Sequence, residues 1–106
     1  MITEIVQFDL PQGTTREEAL ARYRQTAPAW SRNPDLLRKY YFFDSERALG
    51  GGVYVWKNRA AAGRWHGEDY RARIRALYGS EPRMAYFETL VLVDNLRGEV
   101  SEPETD

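Results

Sequence analysis

Ile2, Val6, Phe8 and Leu10 share one parity of the opening stretch while Thr3, Gln7 and Asp9 fall on the other, a period of two that predicts a strand over 2–10. Pro11 to Gly13 ends it, and the period then changes. Thr15 followed three residues later by Glu18 matches a capping box, and Leu20, Tyr23, Ala27 and Trp30 recur at helical spacing with Arg16, Arg22 and Arg24 left for solvent. Pro28 lacks an amide proton, so the last turn is expected to be irregular, with Trp30 leaving the regular helix. Asn33-Pro34 punctuates the chain before a strand over 36–44, in which Tyr40 to Phe43 are apolar on both faces. Ser45 to Gly52, with three consecutive glycines, reads as a turn, and 53–58 as a third strand without polar alternation. Asn58 is the cap of a short helix through Trp65 and His66 that stops at Gly67. Glu68 to Tyr78 is a second helical stretch, with Tyr70, Ile74, Leu77 and Tyr78 on one face and Gly79 as its stop. A last strand is expected over 84–95, where Leu90-Val91-Leu92-Val93 marks the most buried backbone.

The order is strand, helix, two strands, helix, strand. That is an α+β, ferredoxin-like βαββαβ arrangement: a four-stranded antiparallel sheet with its helices on one face. It spans residues 1–95 as one domain, and residues 96–106 follow as an acidic C-terminal tail expected to be an extended arm. The later strands are apolar on both parities, yet the helices cover only one face. A bare face of that kind exceeds what a soluble monomer usually shows, so a second copy is expected to cover it through a two-fold interface, making a homodimer through the sheet.

Composition narrows the function. With 106 residues there is room for one core only, and with no cysteine there is neither a disulfide framework nor a thiolate metal site. No apolar run is long enough for a membrane span and no secretory signal is seen, so a cytoplasmic location is expected. A net charge of -1 gives no field for nucleic acid, and Tyr54 and Trp56, although spaced like the base-stacking aromatics of an RNA-recognition sheet, lack the basic residue that leads that signature. The serines sit in no nucleophile elbow, and Gly50-Gly51-Gly52 precedes a strand rather than a helix, so neither serine hydrolysis nor a phosphate loop is indicated.

His66 is the only histidine, hence the one side chain whose ordinary pKa suits a base near neutrality. It stands between Trp65 and Gly67, a setting suited to a pocket rim; a metal site would need Glu68 or Asp69 beside it at an unfamiliar spacing, so no metal is expected. Gln7, Asp9, Arg38, Lys39 and Glu88 interrupt the strands. The common outcome is a pair between Arg38 or Lys39 and Glu88 or Asp9; the other is orientation of a ligand among Tyr40, Tyr54, Trp56, Trp65 and Tyr86.

Pro28-Ala29-Trp30-Ser31, Pro34 through Tyr41, Gly51-Gly52-Val53-Tyr54 with Trp56, Tyr78-Gly79-Ser80, Tyr86-Phe87-Glu88 and Val93-Asp94-Asn95 together resemble the YdhR-type monooxygenase family. That family belongs to the dimeric α/β-barrel group that includes the antibiotic-biosynthesis monooxygenases, and the resemblance covers about residues 2–95. It implies a cofactor-independent monooxygenase in which a small aromatic or polycyclic phenol loses a proton and its anion reduces O2 directly, with no flavin, haem or metal. On that resemblance His66 is the candidate base and Arg38 the anion stabiliser. Trp65, Tyr40, Tyr54 and Trp56 are the walls, with Tyr86 as a further substrate contact. Two alternatives stand beside it. One is a non-catalytic small-molecule-binding dimer; the other is a haem-degrading protein with His66 as axial ligand, in which Gln7 stands where such enzymes keep an asparagine.

Overall fold

In the computed structural model, which describes residues 1–104, β1 (Ile2–Asp9) carries the expected alternation to its end. Ile2, Glu4, Val6 and Phe8 are buried on one side, and Thr3, Ile5 and Gln7 are half-buried on the other. The capping box is present: Thr15 Oγ1 accepts from the Glu18 amide and the Glu18 carboxylate accepts from the Thr15 amide, starting α1 (Arg16–Ser31). Pro28 does not end this helix before Trp30, as its missing amide had suggested; only the last turn tightens, with the Arg32 amide bonding back to Ala29 and Trp30. β2 (Leu36–Asp44) and β3 (Leu49–Trp56) follow. Asn58 caps α2 (Arg59–Trp65) by accepting from the Ala61 amide, and α3 (Glu68–Tyr78) ends on Gly79 in the left-handed region at φ 77°.

The main sheet has the order β2-β3-β1-β4, with β4 spanning Arg83–Glu88, and every neighbouring pair is antiparallel. This is the ferredoxin-like α+β fold that the element order predicts. Its register aligns Lys39, Tyr54, Glu4 and Tyr86 in one row across all four strands, with Tyr41, Gly52, Val6 and Met84 in the next row of the same face. The helices cover this face. Phe8 stacks on Tyr78 of α3, Tyr41 stacks on Tyr23 of α1, and Ala61 and Ala62 bring α2 down against the same core.

Three expectations need correction. Gly50, Gly51 and Gly52 lie inside β3, because α1 and β1 come too close for side chains: a Cβ on Gly50 would sit 2.6 Å from the Tyr23 hydroxyl. The last strand is not continuous over 84–95. Glu88 pairs with Ile2 and the Thr89 amide bonds Met1, so beyond that point β1 offers no partner. Leu90, Val91 and Val93 are therefore exposed in the single chain rather than its most buried backbone. The tail also has structure: β5 (Leu92–Asp94) and β6 (Glu99–Ser101) form a hairpin, turned by Asp94 Oδ1 accepting from the Leu96 and Arg97 amides and by Gly98 at φ 66°. Positions 105–106 of that expected arm lie outside the described residues.

Candidate active site

α1 and α3 both rest on the sheet, but between them they leave a cavity of about 270 Å³. Tyr23, Thr26 and Trp30 of α1, Tyr70, Ile74 and Tyr78 of α3, and Lys39, Tyr41 and Tyr54 of the sheet line it. Gln25, Trp65, Arg73 and Leu77 are exposed residues on its rim. The lining follows from the register. Lys39 and Tyr41 share a strand parity that the β2 bulge between Leu36 and Arg38 sets toward the helices. Tyrosine hydroxyls in this environment are tied to neighbours: Tyr54 to Tyr70 at 3.1 Å and Tyr41 to Thr26 at 2.5 Å, while Tyr23 donates to the Phe42 carbonyl at 2.9 Å.

Lys39 is the unusual member. Its Nζ lies 3.8 Å from the Tyr41 ring centre, 4.4 Å from that of Tyr54 and 4.7 Å from that of Trp30, and it forms no ion pair among the described residues. Burial, opposed by attraction to Glu4, pushes its ammonium down to about 7. The three ring faces stabilise the cation in part, yet withdrawal from water outweighs them.

Behind the cavity wall lies a second polar group. Glu4 is wholly buried, and its Oε1 accepts from Trp56 Nε1 at 2.8 Å. His66 Nδ1 is 2.6 Å from the same oxygen, at hydrogen-bond length but off the bond's line, while Glu4 Oε2 and His66 Nε2 have no hydrogen-bond partner among the described residues. The imidazole stacks on Tyr70 with ring centres 3.8 Å apart and meets Tyr54, Trp56 and Trp30 edge to face. Burial lowers its pKa, and the nearby carboxylate of Glu4 opposes that shift.

The residues singled out from the sequence are thus split three ways. Tyr54 and Trp65 line the cavity; Trp65 also donates to Asp35, which with Arg64 holds it at the rim. His66 and Trp56 are buried behind the cavity wall, and Tyr86 lies farther along the same row with Arg59 over its ring at 3.8 Å. Arg38 and Tyr40 are on the opposite face, where Arg38 pairs with Asp94 at 3.1 Å. The expected pairing of Arg38 or Lys39 with Glu88 or Asp9 is replaced by Arg38 with Asp94 and Asp9 with Arg83. An axial bond from His66 to a haem iron would require Tyr54, Tyr70, Trp30 and Trp56 to part around a ring that is 4% exposed. Sequence reasoning passed over Glu4 as a site residue and weighed Lys39 as a structural charge or a ligand-orienting group, not as a base. Each carried a signal: Glu4 stands on the apolar parity of β1 between Ile2 and Val6, and Lys39 alternates with Tyr41 and Phe43.

No protein-family model matches the sequence, and no curated protein matches it. Solved structures of similar shape show the fold, which this chain shares with proteins described as antibiotic-biosynthesis monooxygenases. A structure described as an antibiotic biosynthesis monooxygenase superposes with a TM-score of 0.62 at 19% identity, covering 85% of this chain and 99% of the other. SnoaB, a cofactor-independent oxygenase from Streptomyces nogalater, superposes with a TM-score of 0.60 at 18% identity, covering 83% of this chain and 91% of that one, and an asparagine-to-alanine variant of it does the same. No helix among the described residues is long and apolar enough to cross a membrane.

Proposed function

We propose that this chain is a cofactor-independent monooxygenase of the YdhR-type branch that oxidises one- or two-ring phenols with O2. The observation that carries the reading is the aromatic cavity with an unpaired amine inside it, set in the fold of proteins that include a cofactor-independent oxygenase. At about 270 Å³ the cavity sits at the small end of ligand sites, which favours one or two flat rings over a larger polycycle. Phenol deprotonation leaves the oxygen's electron pair on an electron-rich ring, and that anion reduces O2. In the overall conversion of a phenol to a quinone the substrate supplies four electrons; one oxygen atom ends in the new carbonyl and the other in water. Tyr54, Tyr70 and Trp30 hold the ring, Trp65 stands at the entrance, and the guanidinium of Arg73 on the rim favours an anionic occupant. The His66 and Glu4 pair acts from behind, fixing Tyr70 and Trp56 in place.

Incubating the purified protein with a panel of monohydric phenols and naphthols under labelled dioxygen checks this reading. Oxygen uptake above the spontaneous rate, with one labelled atom in the quinone, is expected. Ligand binding with no added uptake across the panel would instead establish the non-catalytic binding protein.

The same reading includes a homodimer, with the outer sheet face against a second copy. On that face Tyr40 and Phe87 are each 53% exposed, and Leu90, Val91 and Val93 continue the apolar surface past the end of β4. Sedimentation is expected to give a dimer at micromolar concentration and a folded monomer for Phe87→Glu with Val93→Glu. A wild-type monomer at that concentration would remove the barrel arrangement.

A further inference from the structure

We infer that Lys39 is the group that takes the substrate's proton: its amine stands in the wall of the aromatic cavity, unpaired, where a phenol lying among Tyr54, Tyr70 and Trp30 would present its hydroxyl. This rests on the reading of the cavity as a phenol site. Three features of the geometry support it. Lys39 is the only lysine or histidine lining the cavity, since His66 is behind the wall and Lys57 is not among the lining residues. Its Nζ is held 3.8 to 4.7 Å from three ring centres on β2, β3 and α1, so the amine has a defined position. It also lacks a carboxylate partner that would keep it an ammonium, and its titration near 7 leaves a large share of the neutral amine at physiological pH.

The groups facing it agree with this role. Glu4 on β1 attracts the protonated form; Tyr41, Tyr54 and Trp30 offer it ring faces; burial disfavours the charged forms of His66 and Tyr70; and Arg73 of α3 stands on the rim. In the step itself the phenol O–H bond breaks, its electron pair stays on oxygen, and an N–H bond forms at Nζ. A neutral phenol and a neutral amine become phenolate and ammonium, a pair whose mutual attraction grows in a site shielded from water.

Two measurements test the assignment. In the first, 4-nitrophenol is titrated into the protein without oxygen, its colour reporting ionisation. The wild type is expected to bind it and ionise it at a lower pH than free solution does, whereas Lys39→Met is expected to bind it as the neutral phenol. In the second, aerobic turnover of a weakly acidic naphthol by Lys39→Ala, checked for its fold by circular dichroism, is expected to fall about 10²- to 10⁴-fold and to recover in part with added butylamine. Its substrate affinity should change little, and the acid limb of the pH profile near 7 should vanish. Undiminished ionisation in Lys39→Met, or full turnover in Lys39→Ala, would overturn the role of Lys39 alone. Failure of the folded wild type to bind any phenol would overturn the reading of the cavity and this inference with it. Binding and ionisation without oxygen uptake would keep Lys39 as the proton acceptor and remove the oxygenase reaction.

Discussion

Gly51→Ala is expected to leave the protein unfolded or more than about 4 kcal/mol less stable, the range reached when a substitution forces backbone apart. Gly51 has φ 154°, and a Cβ there would lie 1.9 Å from the Val6 carbonyl oxygen and 2.8 Å from the Phe42 ring. The carbonyl belongs to β1 and Gly51 to β3, the two central strands, so relief of the clash means separating the sheet at its middle. Gly51 also donates its amide to the Tyr23 hydroxyl at 3.2 Å, and any shift of β3 strains that anchor of α1. Gly63→Ala is the matched control: nothing lies within 4 Å of its Cβ position in α2, and it is expected to stabilise by about 0.5–1 kcal/mol. Urea unfolding of both variants compares them directly, and a Gly51→Ala midpoint near that of the wild type would show that the strands can part at low cost.

Stability is expected to climb between pH 7 and about 10, then decline, which places its maximum well above the usual range. Lys39 titrates near 7 in the folded chain against 10.5 as its ordinary value, so between those limits the unfolded state binds more protons and rising pH favours the folded one. At about 1.4 kcal/mol per unit, discounted because Lys39 is half-buried rather than buried, the gain is roughly 3 kcal/mol. His66 has the same sign at lower pH: its depressed pKa makes stability fall as pH drops below about 6.5, where the unfolded imidazole gains its proton first. Above 10 the sign reverses. Burial raises Tyr78 to about 12 and pushes Tyr23, Tyr54 and Tyr70 up as well, so these phenols ionise more readily in the unfolded chain. Lys39→Met is expected to flatten the rise from pH 7 to 10 and to be about 2 kcal/mol or more stabler than wild type at neutral pH, a buried cation having been replaced by an apolar chain of similar length. Denaturant titrations at several pH values measure both effects. A wild-type curve that is flat across that window would mean that Lys39 is solvated and ordinary, which would also weaken its case as a proton acceptor.

Local chemistry made most elements readable. Period-two alternation located β1, the Thr15 and Glu18 box started α1, Asn58 capped α2 and Gly79 stopped α3, because each of these signals is settled within a few neighbouring residues. The three glycines misled for the opposite reason. Their local preference is for a turn, but the requirement they meet is the close approach of Tyr23 and Val6 from distant parts of the chain. The strand expected over 84–95 failed similarly: the apolar run is real, but pairing stops where β1 stops.

The site divided along the same line. The aromatic residue types, the single histidine and the two-sided strands were all visible in the chain, and they were enough for the fold and for an aromatic ligand as the expectation. Which of Arg38 and Lys39 enters the cavity depended on a bulge between Leu36 and Arg38, and a one-residue shift exchanges the two faces of a strand. The seclusion of His66 depended on Trp30, Tyr54, Trp56 and Tyr70 converging from one strand and two helices. The amino-acid order therefore sufficed for the α+β architecture, its caps and its aromatic store, since those follow from neighbours along the chain. The choice of Lys39 over His66 and Arg38 for the cavity came from packing between distant segments, since burial and register are properties of the assembled sheet and helices.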